Sequence, residues 1–247
     1  MANWSDPRPN MVGIGTAAGT QAERLDAGLR SYMLSVYNYM ASGVLLTGLV
    51  AMLFSWGGAN SPAAQVLMAP GILKYVIMFS PILFVMALSF GMSRMSTGTA
   101  QAVFWGYAAV NGLGLSAIFL VYTGQSVAQA FFATAAAFAG LSLFGYTTKR
   151  NLSAMGAFLV MGVFGLLIAM VINIFLKSTG MELAISMLGV LIFAGLTAWD
   201  TQRIKSEYAV VAGTEWEGKR AINSALSLYL DFINMFLFLL RLMGNRD

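Results

Sequence analysis

Runs of about twenty apolar residues recur along this chain, at roughly 34–56, 72–93, 100–122, 127–146, 154–176, 183–204 and 221–242. A helix rising about 1.5 Å per residue needs about 20 such residues to cross a hydrocarbon core about 30 Å thick. In lipid the backbone must satisfy its own polar groups, and a helix does so within one segment. Each run therefore predicts a transmembrane helix. Several of the connections are short, among them "RMSTGT", "TGQS", "TKRNLS" and "KSTG"; longer ones read "GGANSPAAQVLMAPG" and "SEYAVVAGTEWEGKR". Tight turns force neighbouring helices antiparallel. The expected fold is an all-α integral membrane protein, a bundle of seven transmembrane helices. Residues 1–30, with Asp6, Pro7, Arg8, Pro9, Glu23, Arg24, Asp26 and Arg30, predict a polar N-terminal tail, partly disordered, with no cleavable signal peptide. Residues 31–247 predict a single domain without linker or repeat.

Composition narrows the chemistry. The chain is 58% hydrophobic and 10% charged, against about 45–50% and about 25% in soluble domains. It contains no histidine and no cysteine, which excludes disulfides, thiol nucleophiles, Ser-His-Asp triads and the commonest zinc, haem and iron–sulfur ligand sets. No tightly bound cofactor is expected, and no basic tract suits nucleic acid; the lipid bilayer is the partner that composition implies. Lysine and arginine stay preferentially on the cytoplasmic side. With the N-terminus cytoplasmic, that side holds Arg8, Arg24, Arg30, Arg94, Lys149, Arg150, Arg203, Lys205, Lys219 and Arg220, which is 10 of 14. Lys74, Lys177, Arg241 and Arg246 fall on the other. Small residues such as Gly112 and Ser116 read as packing positions between close helices.

Of the ten acids, only Asp200 and Asp231 fall well inside apolar segments, Asp200 in "LIFAGLTAWDTQRIK" and Asp231 in "LYLDFINMFLFLLRLMG". A charged aspartate at the centre of a membrane helix costs at least about 2.5 kcal/mol, so such residues usually face protein or water. Asn223, Ser227, Asp231 and Asn234 are spaced by four, four and three, which aligns them on one face of span seven. Such a stripe suits a hydrogen-bonded seam between helices or the wall of a wet path. Taken alone, Asp200 also suits an ion pair with Arg203 at i+3.

"AWDTQRIK" followed by "LYLDFINMFLFLLRLMG" resembles the two signature segments of the Bax inhibitor-1 family, bacterial branch. The seven spans, short loops and polar tail are similar to that family over nearly the whole chain. The resemblance implies a seven-helix bundle in the bacterial inner membrane, in which Asp200 and Asp231 share a proton or hydrogen bond and act as a pH sensor. It also implies a slow, pH-dependent calcium leak, and an arginine on span two that pairs with the aspartate of span six. Arg94 is the candidate for that latch. By their rise along the helices, Asp231 lies about 15 Å into span seven while Asp200 lies about 6 Å from the end of span six. For the pair to touch, span seven must start late or tilt.

Two adjacent carboxylates do not both ionise cheaply, so such a pair titrates as a coupled unit and its proton count can shift a bundle between latched and open forms. Calcium takes about six to eight oxygens. Asp200 and Asp231 offer weak, transient calcium ligation, and Asn234, Ser227, Asn223, Asn111 and Asn173 are candidates for the ion path. That donor set suits transit rather than storage. The chain is not expected to be an enzyme: intramembrane aspartyl proteolysis also needs two membrane aspartates, but its Gly-x-Gly-Asp segment is absent. A proton-coupled transporter would call for broken helices or inverted repeats, neither of which is evident. The main alternative is a non-transporting regulator that binds membrane proteases or other proteins and uses the aspartates as structural glue.

Overall fold

The structure is a computed structural model describing residues 12–245, without the side chains of residues 12–22 and Arg24. It is built of α1 (Val12–Phe54), α2 (Leu73–Gly91), α3 (Thr97–Leu115), the single turn α4 (Ile118–Val121), α5 (Gly124–Thr147), α6 (Ser153–Leu176), α7 (Thr179–Val211) and α8 (Glu217–Met243). A 3₁₀ turn and a π-helical turn lie between α1 and α2. Among the described residues, seven helices are long and apolar enough to cross a membrane. The expected all-α, seven-helix membrane bundle is what forms. Because α4 completes the third span, spans six and seven of the sequence are α7 and α8.

Several helix starts are set by side chains. Ser96, Thr123 and Ser178 each accept a hydrogen bond from the backbone amide three residues on, satisfying a donor that the first helical turn leaves open. Pro81 sits inside α2 and cannot donate to the Ile77 carbonyl. The Ser80 hydroxyl donates to that carbonyl instead, at 3.0 Å.

α8 is the central helix and the most buried of the spans. α7, α1, α5 and α3 pack around it, while α6 leans on α7 and α2 on α3 at the periphery. Leu228, Tyr229, Met235 and Leu240 of α8 are fully buried. α6 is the most apolar span and the least buried, as a helix facing lipid on most sides should be. Gly112 lets α3 close onto α1: a methyl group there would lie 2.6 Å from the Thr47 carbonyl oxygen.

The chain differs from expectation at its N-terminal end. Helix α1 is already formed at Val12, where the sequence predicts a partly disordered tail. The segment "TAAGTQAERLDAGLR" contains alanine, glutamine, glutamate, leucine and arginine and no proline, so helix propensity carries the chain on after apolarity stops. Asp6, Pro7, Arg8 and Pro9 lie outside the described residues, as do Arg246 and Asp247.

The last apolar segment, α8, crosses the bundle from end to end. α8 starts beside α7's end, and the residue after its last turns, Asn245, donates its amide to Ser126 Oγ at 2.9 Å and accepts from the Thr123 amide at 3.2 Å. Those partners sit at the α4–α5 turn, the opposite end of the bundle, so α8 traverses it completely. Arg94, Lys149, Arg150, Lys205, Lys219 and Arg220 collect at the end where α2, α5 and α7 terminate, which is called the basic end below.

Candidate functional site: a buried carboxylate pair between α7 and α8

The two aspartates meet at similar depth because the helices run further than their apolar stretches. α7 continues to Val211, so Asp200 lies 11 residues before its end, or about 16 Å. α8 begins at Glu217, so Asp231 lies 14 residues after its start, or about 21 Å. The mismatch implied by hydropathy alone shrinks to about one helical turn. Polar residues at the basic end, Glu207 and Lys205 among them, are helical rather than part of the connecting loop.

Both aspartates are 5% exposed. Asp200 forms an ion pair with Arg203, whose Nη2 stands 3.0 Å from Oδ1. The same nitrogen donates to Ser227 Oγ at 3.3 Å, joining α7 to α8. The guanidinium is also stacked 4.7 Å over the Trp199 ring, and its Nε lies 3.7 Å from Glu207. Glu207 in turn forms an ion pair with Arg220, whose Nε lies 3.1 Å from Oε2. Charges therefore alternate along one line, Asp200, Arg203, Glu207 and Arg220, from the bundle interior toward the basic end.

Asp231 is the member left over. It lies one turn along α8 from Ser227, on the face that Arg203 reaches, and its Oδ2 is buried with no hydrogen-bond partner among the described residues, as are Asp200 Oδ1 and Arg203 Nε. Buried polar atoms are almost always partnered. An orphaned carboxylate oxygen on the helix seam that also carries a second carboxylate is a place for a proton or a cation. Two carboxylates share one nearby guanidinium, so full ionisation would leave an unbalanced negative charge in the interior, which is strongly unfavourable.

The scaffold holds Asp200 in place from behind. Gly145 of α5 comes so close to the Ala198 carbonyl that no side chain fits between the two helices. Ser142 of α5 lies 3.2 Å from the Thr201 hydroxyl, which donates to the Thr197 carbonyl. α5 thus grips the turn of α7 that carries Asp200.

The other residues expected at the site divide. Ser227 belongs to it through Arg203. Asn234 donates to the Leu230 carbonyl of its own helix at 2.8 Å. Asn223 lines a pocket nearer the basic end. Asn111 donates to the Tyr229 hydroxyl at 2.8 Å, and that hydroxyl also lies 2.6 Å from Thr47 Oγ1, a separate network tying α3, α8 and α1. Asn173 is not brought to the aspartates: it accepts from the Ser178 amide at 3.0 Å and closes the α6–α7 turn at the opposite end. Arg94 is exposed beyond α2, and among the described residues no ion pair joins it to Asp200. The reason is architectural, since α2 packs on α3 rather than α7 and Arg203 is only one turn from Asp200. The spacing 200, 203, 207 could have revealed this ladder, had α7 been read as continuing past residue 204.

No group of three or more acidic, histidine or cysteine side chains converges among the described residues. Cation ligation by the aspartates would have to be completed by water and neutral oxygens.

Comparison with known proteins adds the lineage. The family described as "Inhibitor of apoptosis-promoting Bax1" matches residues 29–247. The chain belongs to the Bax inhibitor-1 family. Three of the similar proteins are bacterial. An uncharacterized protein of Rickettsia prowazekii is 45% identical over 90% of this chain and 92% of its own length. Inner membrane protein YbhL of Escherichia coli K12 is 43% identical over 89% and 94%. An uncharacterized protein of Caulobacter vibrioides is 44% identical over 90% and 92%. The Bax inhibitor-1 match spans all seven apolar helices, including both aspartate-bearing ones.

Proposed function

We propose that this protein is a slow, pH-sensitive calcium leak of the bacterial inner membrane, with its basic end cytoplasmic, and that Asp200 and Asp231 share one proton that holds α7 and α8 together. The observation that carries this reading is the buried, unpartnered Oδ2 of Asp231, one turn along α8 from the Ser227 that Arg203 reaches while it pairs with Asp200. A single shared proton would neutralise the group of two carboxylates and one guanidinium. Changing the proton count would alter the balance between closed and open bundles. Calcium would pass along the α8 face that carries Asn223, Ser227, Asp231 and Asn234, with the aspartates as weak, hydrated ligands rather than a tight site. The protein would hold no tight cofactor and catalyse no reaction. The inner-membrane location is supported by the name of the YbhL relative and the orientation by the basic residues.

A second reading is favoured by one feature. The cavities between α1 and α5, between α2 and α8, and among α1, α5 and α7 are lined by neither aspartate. A protein that stays closed would use the pair as glue and act as a non-transporting regulator of membrane proteases or other proteins.

Calcium flux into liposomes holding the purified protein, followed from pH 5 to 8, separates the two. The leak reading expects flux above empty liposomes, with a pH dependence that Asp200→Asn or Asp231→Asn flattens. Absence of flux at every pH, or wild-type behaviour in both variants, sinks it in favour of the regulator.

A further inference from the structure

At the basic end a second polar feature lies apart from the aspartates. A pocket of about 380 Å³ opens between the end of α2 and the start of α8, walled by Ser89, Ser93, Trp216, Lys219, Arg220 and Asn223. Its wall carries two cations, two hydroxyls and an amide, and no acid. Of the nearby acids, Glu207 pairs with the wall's own Arg220, 3.1 Å from its Nε, Glu217 accepts from the Gly213 amide at 2.8 Å, and Glu215 is exposed outside the pocket lining; Lys219 is therefore the wall cation with no ion pair among the described residues. The Lys219 ammonium is held 4.6 Å over the Trp216 ring, which fixes its charge at the pocket rather than in bulk water.

The remaining wall is apolar and faces lipid. Phe90 is 79% exposed on the α2 side, with Met92 and Val211 completing the lining. Trp216 is partly exposed at the end of a transmembrane helix, where indoles collect at the headgroup level. Cations at that depth attract anionic lipid, and charge-assisted hydrogen bonds to phosphate oxygens are among the strong ones. A soluble anion would use the cations and hydroxyls but leave Phe90 without purpose.

We infer that this pocket binds the phosphate headgroup of an anionic glycerophospholipid from the surrounding leaflet. Lys219 and Arg220 would hold the phosphate, Ser89, Ser93 and Asn223 would meet the polar glycerol portion, and an acyl chain would run down the exposed face of Phe90.

Native mass spectrometry of the full chain in detergent, titrated with phosphatidylglycerol or phosphatidylcholine, tests the inference. The expected result is preferential retention of phosphatidylglycerol, weakened about fivefold by Lys219→Gln and about 30-fold when Arg220→Gln is added, from about 1 kcal/mol per cation near an anionic lipid. Ser93→Leu, which fills the pocket without touching a charge, should also abolish the preference, and melting temperatures in phosphatidylcholine report whether each variant is folded. Equal retention of the two lipids by the wild type overturns the inference. So does a preference that survives in folded Lys219→Gln/Arg220→Gln and Ser93→Leu proteins. Displacement of phosphatidylglycerol by millimolar inorganic phosphate also overturns it, and assigns the pocket to a soluble anion.

Discussion

Arg203 stands 3.0 Å from Asp200, one turn further along the same helix, and reaches across to Ser227 of α8. Among the described residues it is the cation that pairs with Asp200, so its loss would leave two buried acids without that counter-charge. Arg203→Gln is expected to lower stability by about 1–3 kcal/mol, less than a fully buried pair would lose, because the Arg203 side chain is 34% exposed. Thermal unfolding in detergent measures this. Adding Asp200→Asn to Arg203→Gln should recover part of the loss, since the uncompensated charge then disappears.

Arg94 gives the contrasting case. It is exposed at the end of α2 and has no ion pair with Asp200 among the described residues. Arg94→Gln should therefore leave the melting temperature unchanged, within about 0.5 kcal/mol of stability, and the pH profile of any calcium flux as in the wild type. A profile flattened by Arg94→Gln would show that α2 reaches the pair in another conformation.

Gly145 controls the position of Asp200 from the α5 side. A methyl group there collides with the Ala198 carbonyl, and overpacking of this kind costs about 1–3 kcal/mol. Gly145→Ala should lower the melting temperature, whereas Gly140→Ala on the same helix, with open space at its Cβ, should be neutral or slightly stabilising. The pair of variants separates a helix–helix clash from any general effect of adding a side chain to α5.

Tyr229 lies two residues from Asp231 and faces the other way, toward Thr47 and Asn111. Tyr229→Phe removes the hydroxyl that joins α1, α3 and α8. The Asn111 amide would lose its acceptor, at a cost of about 1–3 kcal/mol. Since this network is separate from the carboxylates, the variant should melt earlier yet keep the wild-type pH dependence of flux.

Much of the architecture was legible because membrane helices have a single strong signal, and the seven apolar runs correspond to the seven spanning helices. Their ends were not legible, because hydropathy marks where lipid stops rather than where a helix stops. That is why α1 starts at Val12 and α7 runs to Val211, and why the depth mismatch between Asp200 and Asp231 was overstated. The aspartates stood out as acids in apolar surroundings. Arg203 was visible only as a local i+3 partner, and the choice between it and Arg94 depended on which helices are neighbours. Asn111 and Asn173 share a residue type with Asn234 but not a location, and composition carries no information about location.

The most direct measurement of the shared proton is infrared difference spectroscopy of the membrane-reconstituted protein, reading the carbonyl stretch of protonated carboxyl groups at neutral pH. The account predicts a band in the wild type that disappears in both Asp200→Asn and Asp231→Asn, because either remaining carboxylate would ionise beside Arg203. A wild-type protein without such a band, or a band that persists in both variants, would contradict it.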